Sequence, residues 1–299
     1  MRLPPRERTH RGHRSFGVVN LDKPPGPTSH QVVTWVKDIL GIERAAHAGT
    51  LDPKVTGCLP ILLGDATRLA QALLVGPKEY VTVLELHDEP GADFEDVLAA
   101  FEGEIHQRPP RKSAVTRRLR TRQIHEFTLL ERDGQSALCR IECESGTYIR
   151  KLCHHVGLAA GVGAHMGELR RTGTQPFDDR DLVTMHELVD AVAYAEAGET
   201  SQLETILQPG EAALAHLPRV MIAPSAAEQV AHGAPVYAPG VIHADPDVTP
   251  DESLVQCVTP GGVAVCLGRL VGDPTMDQGL VVELARVLVS PRESDKRRA

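Results

Sequence analysis

His47-Ala48-Gly49-Thr50-Leu51-Asp52-Pro53-Lys54-Val55-Thr56-Gly57 is the stretch on which the reading of this chain turns. It holds a carboxylate in a stiff turn. Glycines stand at 49 and 57, Pro53 fixes its own φ, and the bulk of Pro53 pushes Asp52 towards extended backbone. Asp52 is therefore expected at a loop tip. The apolar run 58–63 follows and is closed by Gly64, which predicts a fully buried strand. A loop rooted in such a strand has little freedom. An isolated Leu-Asp-Pro is ordinarily a turn former or a helix cap, so the surrounding sequence has to decide what this one does.

Upstream, 16–21 reads as a short buried strand and Asp22-Lys23-Pro24-Pro25-Gly26-Pro27 as a turn. Thr28 or Ser29 can cap the helix that follows. In it Val32, Val33, Trp35, Val36, Ile39 and Leu40 recur at helical spacing up to a stop at Gly41. Downstream, Asp65 is expected to cap a helix through 74. Gly76-Pro77-Lys78-Glu79-Tyr80 then precedes a strand at 81–87, and 93–101 predicts an amphipathic helix. Residues 137–144 alternate as a strand does, with Cys139, Ile141 and Cys143 on one side. Ser145-Gly146-Thr147-Tyr148-Ile149-Arg150 turns the chain into a helix towards 158, which puts Arg150 near its start. Residues 163–173 predict a strand of small residues whose Arg170 and Arg171 lie at the surface. Thr184 and Glu187 form a capping box for a helix through 194.

The chain has 299 residues, 41% hydrophobic and 24% charged, which fits a globular protein of two domains. No apolar run reaches bilayer length, and no apolar stretch follows the charges of the first residues, so a cytoplasmic location without membrane contact is expected. Cysteines at 58, 139, 143, 153, 257 and 266 form no Cys-x-x-Cys pair. Reduced, buried thiols are the expectation, with no metal and no cofactor. Net charge is −8, yet the cations are segregated. Arg2, Arg6, Arg8, Arg11 and Arg14 crowd the first 14 residues. Arg108, Arg111, Lys112, Arg117, Arg118, Arg120 and Arg122 follow one another with no acid between them, while acids gather at 85–104 and 245–252. A basic face on an acidic body is the footprint of a phosphate-binding protein. The 25 arginines against 7 lysines suggest a high-salt or GC-rich source.

The 47–57 stretch, the Lys-Pro-Pro-Gly-Pro-Thr-Ser at 23–29, the Gly-Pro-Lys-Glu-Tyr at 76–80, the basic stretch from 107, the Gly-Thr-Tyr-Ile-Arg-Lys-Leu at 146–152 and the segment 163–173 resemble, in this order, the motifs of one family. It contains bacterial tRNA pseudouridine-55 synthase and the archaeal and eukaryotic dyskerin-type synthases. Lys54-Val55-Thr56-Gly57 and Gly76-Pro77-Lys78-Glu79-Tyr80 resemble the archaeal dyskerin-type branch. The resemblance implies that Asp52 is catalytic and that Arg150 pairs with it, a cation favouring the ionised carboxylate. It further implies that Tyr80 stacks on the target base and that Tyr148 shares the pocket. His47 and Lys78 are implied substrate contacts, and Arg108, Arg111, Lys112, Arg117 and Arg118 an RNA grip. Arg170 and Arg171 are read either as RNA contacts or as ordinary surface. Residues 230–241 resemble the PUA domain, a small RNA-binding β-barrel, with RNA contact at Gly233 and Gly240.

The implied architecture is α+β: a pseudouridine synthase core of mixed, mostly antiparallel sheet flanked by helices at 16–216, then a PUA barrel at 217–290. A basic extension at 1–15 and a charged tail at 291–299 complete it. Strands are expected at 220–222, 254–258, 263–270 and 280–288, with a helix signalled by Ser225-Ala226-Ala227-Glu228. The implied reaction is isomerisation of uridine to pseudouridine in RNA. The part the aspartate plays stays open between attack on the sugar, attack on the base and a glycal route. The implied substrate stays open between position 55 of the tRNA T loop, acted on alone, rRNA selected by a box H/ACA guide RNA, and both. For guided rRNA the chain would be the monomeric catalytic subunit beside a zinc-ribbon subunit, a β-barrel subunit of the glycine/arginine-rich type and a kink-turn-binding protein. The rival reading is a non-catalytic RNA-binding scaffold. Loss of Asp52, Tyr80 or Arg150 would signal it, and all three are present.

Overall fold

Unbroken apolar sequence makes Thr56–Gly64 a central strand. Cys58, Leu59, Ile61, Leu62 and Leu63 have no exposure, and burying one such leucine or isoleucine is worth roughly 1.5–3 kcal/mol. The strand pairs antiparallel with Phe16–Lys23. At its first residues it pairs parallel with Ala164–Thr174, Thr56 against Arg170 and Gly57 against Arg171. The computed structural model describes residues 1–109, 116–246, 248, 250 and 253–290. Within these, ten strands form one sheet. Its path runs from Gln208–Pro209 through Phe16–Lys23, Thr56–Gly64, Ala164–Thr174, Lys78–Leu86, Ser136–Cys143 and Arg120–Asp133 to Gly103–Gln107. Apart from the parallel pair, its ladders are antiparallel.

Helices cover the sheet where sequence periodicity supplies an apolar stripe. Ser29–Leu40 opens with a capping box between Thr28 and Gln31 and stops at Gly41 in the left-handed conformation. Its buried stripe is Val32, Val36 and Leu40. Trp35, expected on that stripe, is 44% exposed, because it sits a quarter-turn from Val36. Met185–Glu196 carries the expected capping box of Thr184 and Glu187. In Ser136–Cys143 the residues Ala137, Cys139, Ile141 and Cys143 are buried, as the alternation requires.

Other expectations are corrected. Asp65 caps no helix: its carboxylate pairs with Arg44, and residues 65–69 form a 3-10 turn before the short helix Ala70–Val75. The strand expected from 81 begins at Lys78, so Lys78 and Tyr80 belong to the sheet. The C-terminal helix is Pro224–Ala231, started by proline at its first turn rather than by a Ser225 cap.

The second sheet has six strands in the order Val236–Tyr237, Leu280–Val287, Ala264–Leu270, Leu254–Val258, Arg219–Ile222 and Val241–Ala244, a nearly closed, barrel-like arrangement. A shared apolar cluster joins it to the first: Phe16, Val18, Leu62 and Leu214 pack with Ala264, Leu267 and Leu288. Two arginines of the basic N-terminus are used here rather than left for phosphates. The Arg2 guanidinium lies 3.5 Å from the Phe16 ring centre and donates to the carbonyls of Leu288 and Ala264 at 2.6 and 2.8 Å. Arg8 makes two hydrogen bonds to Glu211, at 2.7 and 2.9 Å. No helix among the described residues is long and apolar enough to cross a membrane.

Candidate active site

The Asp52 loop hangs between the short strand Ala45–His47 and Thr56–Gly64, and three side chains hold it by its backbone. Ser29 Oγ accepts from Leu51 N at 2.9 Å and donates to Leu51 O at 3.0 Å. The Lys23 ammonium, with no exposure, donates to the carbonyls of Pro24, Pro53 and Val55 at 2.9, 3.0 and 2.9 Å. Arg171, 2% exposed, donates to Cys58 O at 2.8 Å and Gly49 O at 3.2 Å. Gly26 N adds a bond to Pro53 O at 2.9 Å. Residues 49, 51, 53 and 55 are thus each fixed, and Asp52 is presented from a rigid frame. At Gly57, with φ +96°, an added Cβ would lie 2.2 Å from the Arg171 carbonyl oxygen, so the loop exit requires glycine.

The Asp52 carboxylate accepts a hydrogen bond from the Arg150 guanidinium, which reaches it from the first turn of the helix Ile149–Ala159. Both side chains are more than half exposed, at 58% and 54%. Such a pair contributes little to stability; its consequence is orientation, and the carboxylate stays accessible. Tyr148, at the start of that helix, is held through its backbone by buried Gln107, whose Oε1 accepts from Tyr148 N at 2.9 Å.

Tyr80 is half-buried and lies within hydrogen-bonding reach of Arg171. Burial pushes its hydroxyl above the ordinary value, and the Arg171 guanidinium opposes that shift. The guanidinium that acts on Tyr80 is thus the same one that holds the carbonyl of Gly49 in the Asp52 loop. Burial, then the neighbouring His30 and Arg171, holds the His47 imidazole below its usual range. Burial lowers Lys23, and the Asp52 charge partly offsets this.

Several expected positions turn out differently. Lys78 is 4% exposed, and its ammonium donates to the carbonyls of Leu73 and Gly76 at 2.9 and 2.6 Å. Burial, then Arg171, brings it down to about 8. It is enclosed by its own turn, not offered to a phosphate. Arg171 is neither surface nor RNA contact, because the alternation that buries Leu169 buries Arg171 two residues on. Arg170 pairs with Asp22 at 2.9 and 3.1 Å. Gly240 is a packing glycine: an added Cβ would meet Ala226 Cβ at 2.8 Å. Gly233, at φ +95°, ends the helix Pro224–Ala231 and faces open space. Arg108, Arg117 and Arg118 are exposed, and Arg117 Nε donates to Pro109 O at 3.1 Å. Arg111 and Lys112, like the tail 291–299, lie outside the described residues.

All six cysteines are buried and unbridged. Burial pushes Cys58, Cys139, Cys143 and Cys153 up to about 12, which keeps their thiols protonated and inert. Among the described residues no group of three or more His, Cys, Asp or Glu side chains could hold a metal ion.

Comparison with known proteins decides what this frame belongs to. Residues 37–149 match the TruB family pseudouridylate synthase N-terminal domain, and 150–215 the tRNA pseudouridylate synthase B C-terminal domain. Residues 3–33 match the DKCLD domain, and 218–288 the PUA domain. A probable tRNA pseudouridine synthase B of Haloarcula marismortui is 63% identical over 294 residues, covering 97% of this chain and 94% of that protein. The chain belongs to the TruB family of pseudouridine synthases. A similarly named protein of Pyrococcus horikoshii is 48% identical over 298 residues, covering 97% of the synthase and 89% of the relative. A solved Cbf5-Nop10-Gar1 complex contains a chain that superposes with a TM-score of 0.91 at 46% identity, covering 97% of the synthase and 90% of that chain. An H/ACA RNP bound to a substrate RNA containing 2′-deoxyuridine gives 0.90 at 44% identity, with the same coverages. The synthase is thus an RNA-modifying isomerase of the dyskerin-type branch with a C-terminal PUA domain.

The sequence singled out Asp52 and Arg150, and the structure brings them together. Sequence reasoning missed Lys23 and Ser29 as loop clamps and Gln107 as the holder of Tyr148. The signal for Ser29 was its place in a capped first turn. A lysine with three carbonyl acceptors leaves no trace in composition.

Proposed function

We propose that Asp52 is the catalytic carboxylate of uridine isomerisation, oriented by Arg150, with Tyr80 stacking on the flipped uracil and Tyr148 in the same pocket. The bookkeeping is that of an isomerase. The N1–C1′ bond breaks, the uracil rotates, the C5–C1′ bond forms, C5 loses its proton and N1 ends protonated. The observation that carries the reading is an exposed carboxylate paired with Arg150 on a loop whose backbone is fixed by Ser29, Lys23 and Arg171. Such a carboxylate can meet a base only after the base leaves its stack. Exposed Arg108, Arg117 and Arg118 supply phosphate contacts by counterion release, with Arg111 and Lys112 in the same stretch.

The substrates are uridine 55 of the tRNA T loop and rRNA uridines chosen by a box H/ACA guide RNA. In the second role the chain is the catalytic subunit beside the zinc-ribbon, β-barrel and kink-turn-binding proteins, in the cytoplasm. Support comes from relatives named for tRNA modification and from solved H/ACA particles of high similarity. The test is pseudouridine formation, scored by specific derivatisation, on an unmodified T-stem-loop transcript by the protein alone and on a guide-paired rRNA fragment with the partner proteins. Product in both is expected. Silence in both would leave an RNA-binding scaffold.

A further inference from the structure

The first turn of the helix Ser29–Leu40 reaches the active-site loop twice. Ser29 holds Leu51, and the neighbouring His30 ring meets His47 edge to face, with centroids 5.0 Å apart and planes at 89°. The turn that carries both is itself fixed: Gln31 N donates to Thr28 Oγ1 at 3.2 Å and Thr28 N to Gln31 Oε1 at 2.8 Å. His30 is exposed and His47 half-buried, so the pair lies at the surface just upstream of Asp52. Edge-to-face ring pairs have a preferred geometry and resist rotation. The His30–His47 contact therefore ties down a side chain that would otherwise sample several rotamers. We propose that His30 is a positioning residue for RNA capture, its ring fixing the orientation of the His47 imidazole beside the Asp52 loop. This rests on the reading of His47 as an RNA contact. Burial, then the neighbouring His30 and Arg171, keeps His47 below its usual range, which favours the neutral ring, and in a neutral imidazole the two nitrogens differ, so orientation decides which is offered.

The test is the equilibrium Kd of the full chain for a T-stem-loop transcript, read on wild type, His30→Ala, His30→Phe, His47→Ala and the His30→Ala/His47→Ala double variant. Losing the preorganisation of one side chain weakens binding roughly threefold to tenfold in His30→Ala. His30→Phe, which keeps the ring contact without the nitrogens, binds within about twofold of wild type. The double variant binds no more weakly than His47→Ala, since His30 acts through His47. Equal weakening by Ala and Phe, or full addition of the two losses in the double variant, overturns the proposal. Wild-type affinity in His47→Ala overturns it as well, and also removes the RNA reading of His47. Turnover by the same samples is recorded separately, so a failure of catalysis is not confused with a failure of positioning.

Discussion

Ser29 and Leu51 exchange two hydrogen bonds, the hydroxyl accepting from the amide at 2.9 Å and donating to the carbonyl at 3.0 Å, with Ser29 fully buried. Leu51, the residue before the Asp52 carboxylate, is thereby fixed at both its backbone polar atoms. Ser29→Ala leaves a buried amide and carbonyl without partners, at a cost of about 1–3 kcal/mol in denaturant unfolding. Loosening of Asp52 by a fraction of an ångström lowers kcat by roughly 10- to 100-fold, while RNA affinity stays near wild type. Unchanged kcat in a variant that has lost stability would show that the clamp serves folding and not presentation.

Arg171 joins two parts of the site from a buried position, Cys58 O and Gly49 O, and its charge acts on the Tyr80 hydroxyl beside it. A guanidinium spans them because it is a planar fork, and an ammonium cannot. Arg171→Lys is expected to lose about 2 kcal/mol of stability and to lower kcat more than it raises KM. A steady-state comparison against Arg170→Lys, whose guanidinium pairs with Asp22 rather than with the Gly49 carbonyl, checks this.

Lys78 gives a pH signature. Its folded value of about 8 lies below its ordinary 10.5. Between these values the unfolded chain binds a proton that the folded protein has released, so this group's contribution to stability rises with pH across the window. Below pH 8 both states carry the proton and the burial penalty is fully present. The span is worth roughly 3 kcal/mol. Urea midpoints at pH 7.5 and pH 10 should show wild type gaining on Lys78→Met, and parallel behaviour would remove the effect.

Arg118 is an exposed member of the basic stretch. Arg118→Ala should weaken RNA binding across sequences and reduce the slope of log Kd against log salt by roughly one, with kcat at saturating RNA unchanged. Titration at several salt concentrations measures it.

Where sequence and structure agree, a local rule carried the information. The run 58–63 could only be a central strand, Thr28 and Thr184 announced their helices through capping boxes, and the glycines around Asp52 announced a fixed loop. Where they part, the deciding fact was long-range. Nothing near Lys23 shows that its ammonium meets carbonyls thirty residues away. Arg171 read as surface because charge outweighed alternation, although Leu169 on the same face is buried. Asp65 read as a cap because its ion pair with Arg44 joins segments that are distant in sequence. Arg2 and Arg8 counted towards a basic face until tertiary packing placed them at Phe16 and Glu211.

The central claim is that Asp52 performs the chemistry and the frame around it merely presents it. Asp52→Asn keeps the size and hydrogen-bonding shape of the side chain. The most direct measurement is single-turnover pseudouridine formation by this variant on the T-stem-loop transcript, with Kd measured on the same sample. Binding near the wild-type value with no detectable product is the predicted result. Product at a rate within about tenfold of wild type, well short of the loss expected when a reacting group is removed, would contradict it.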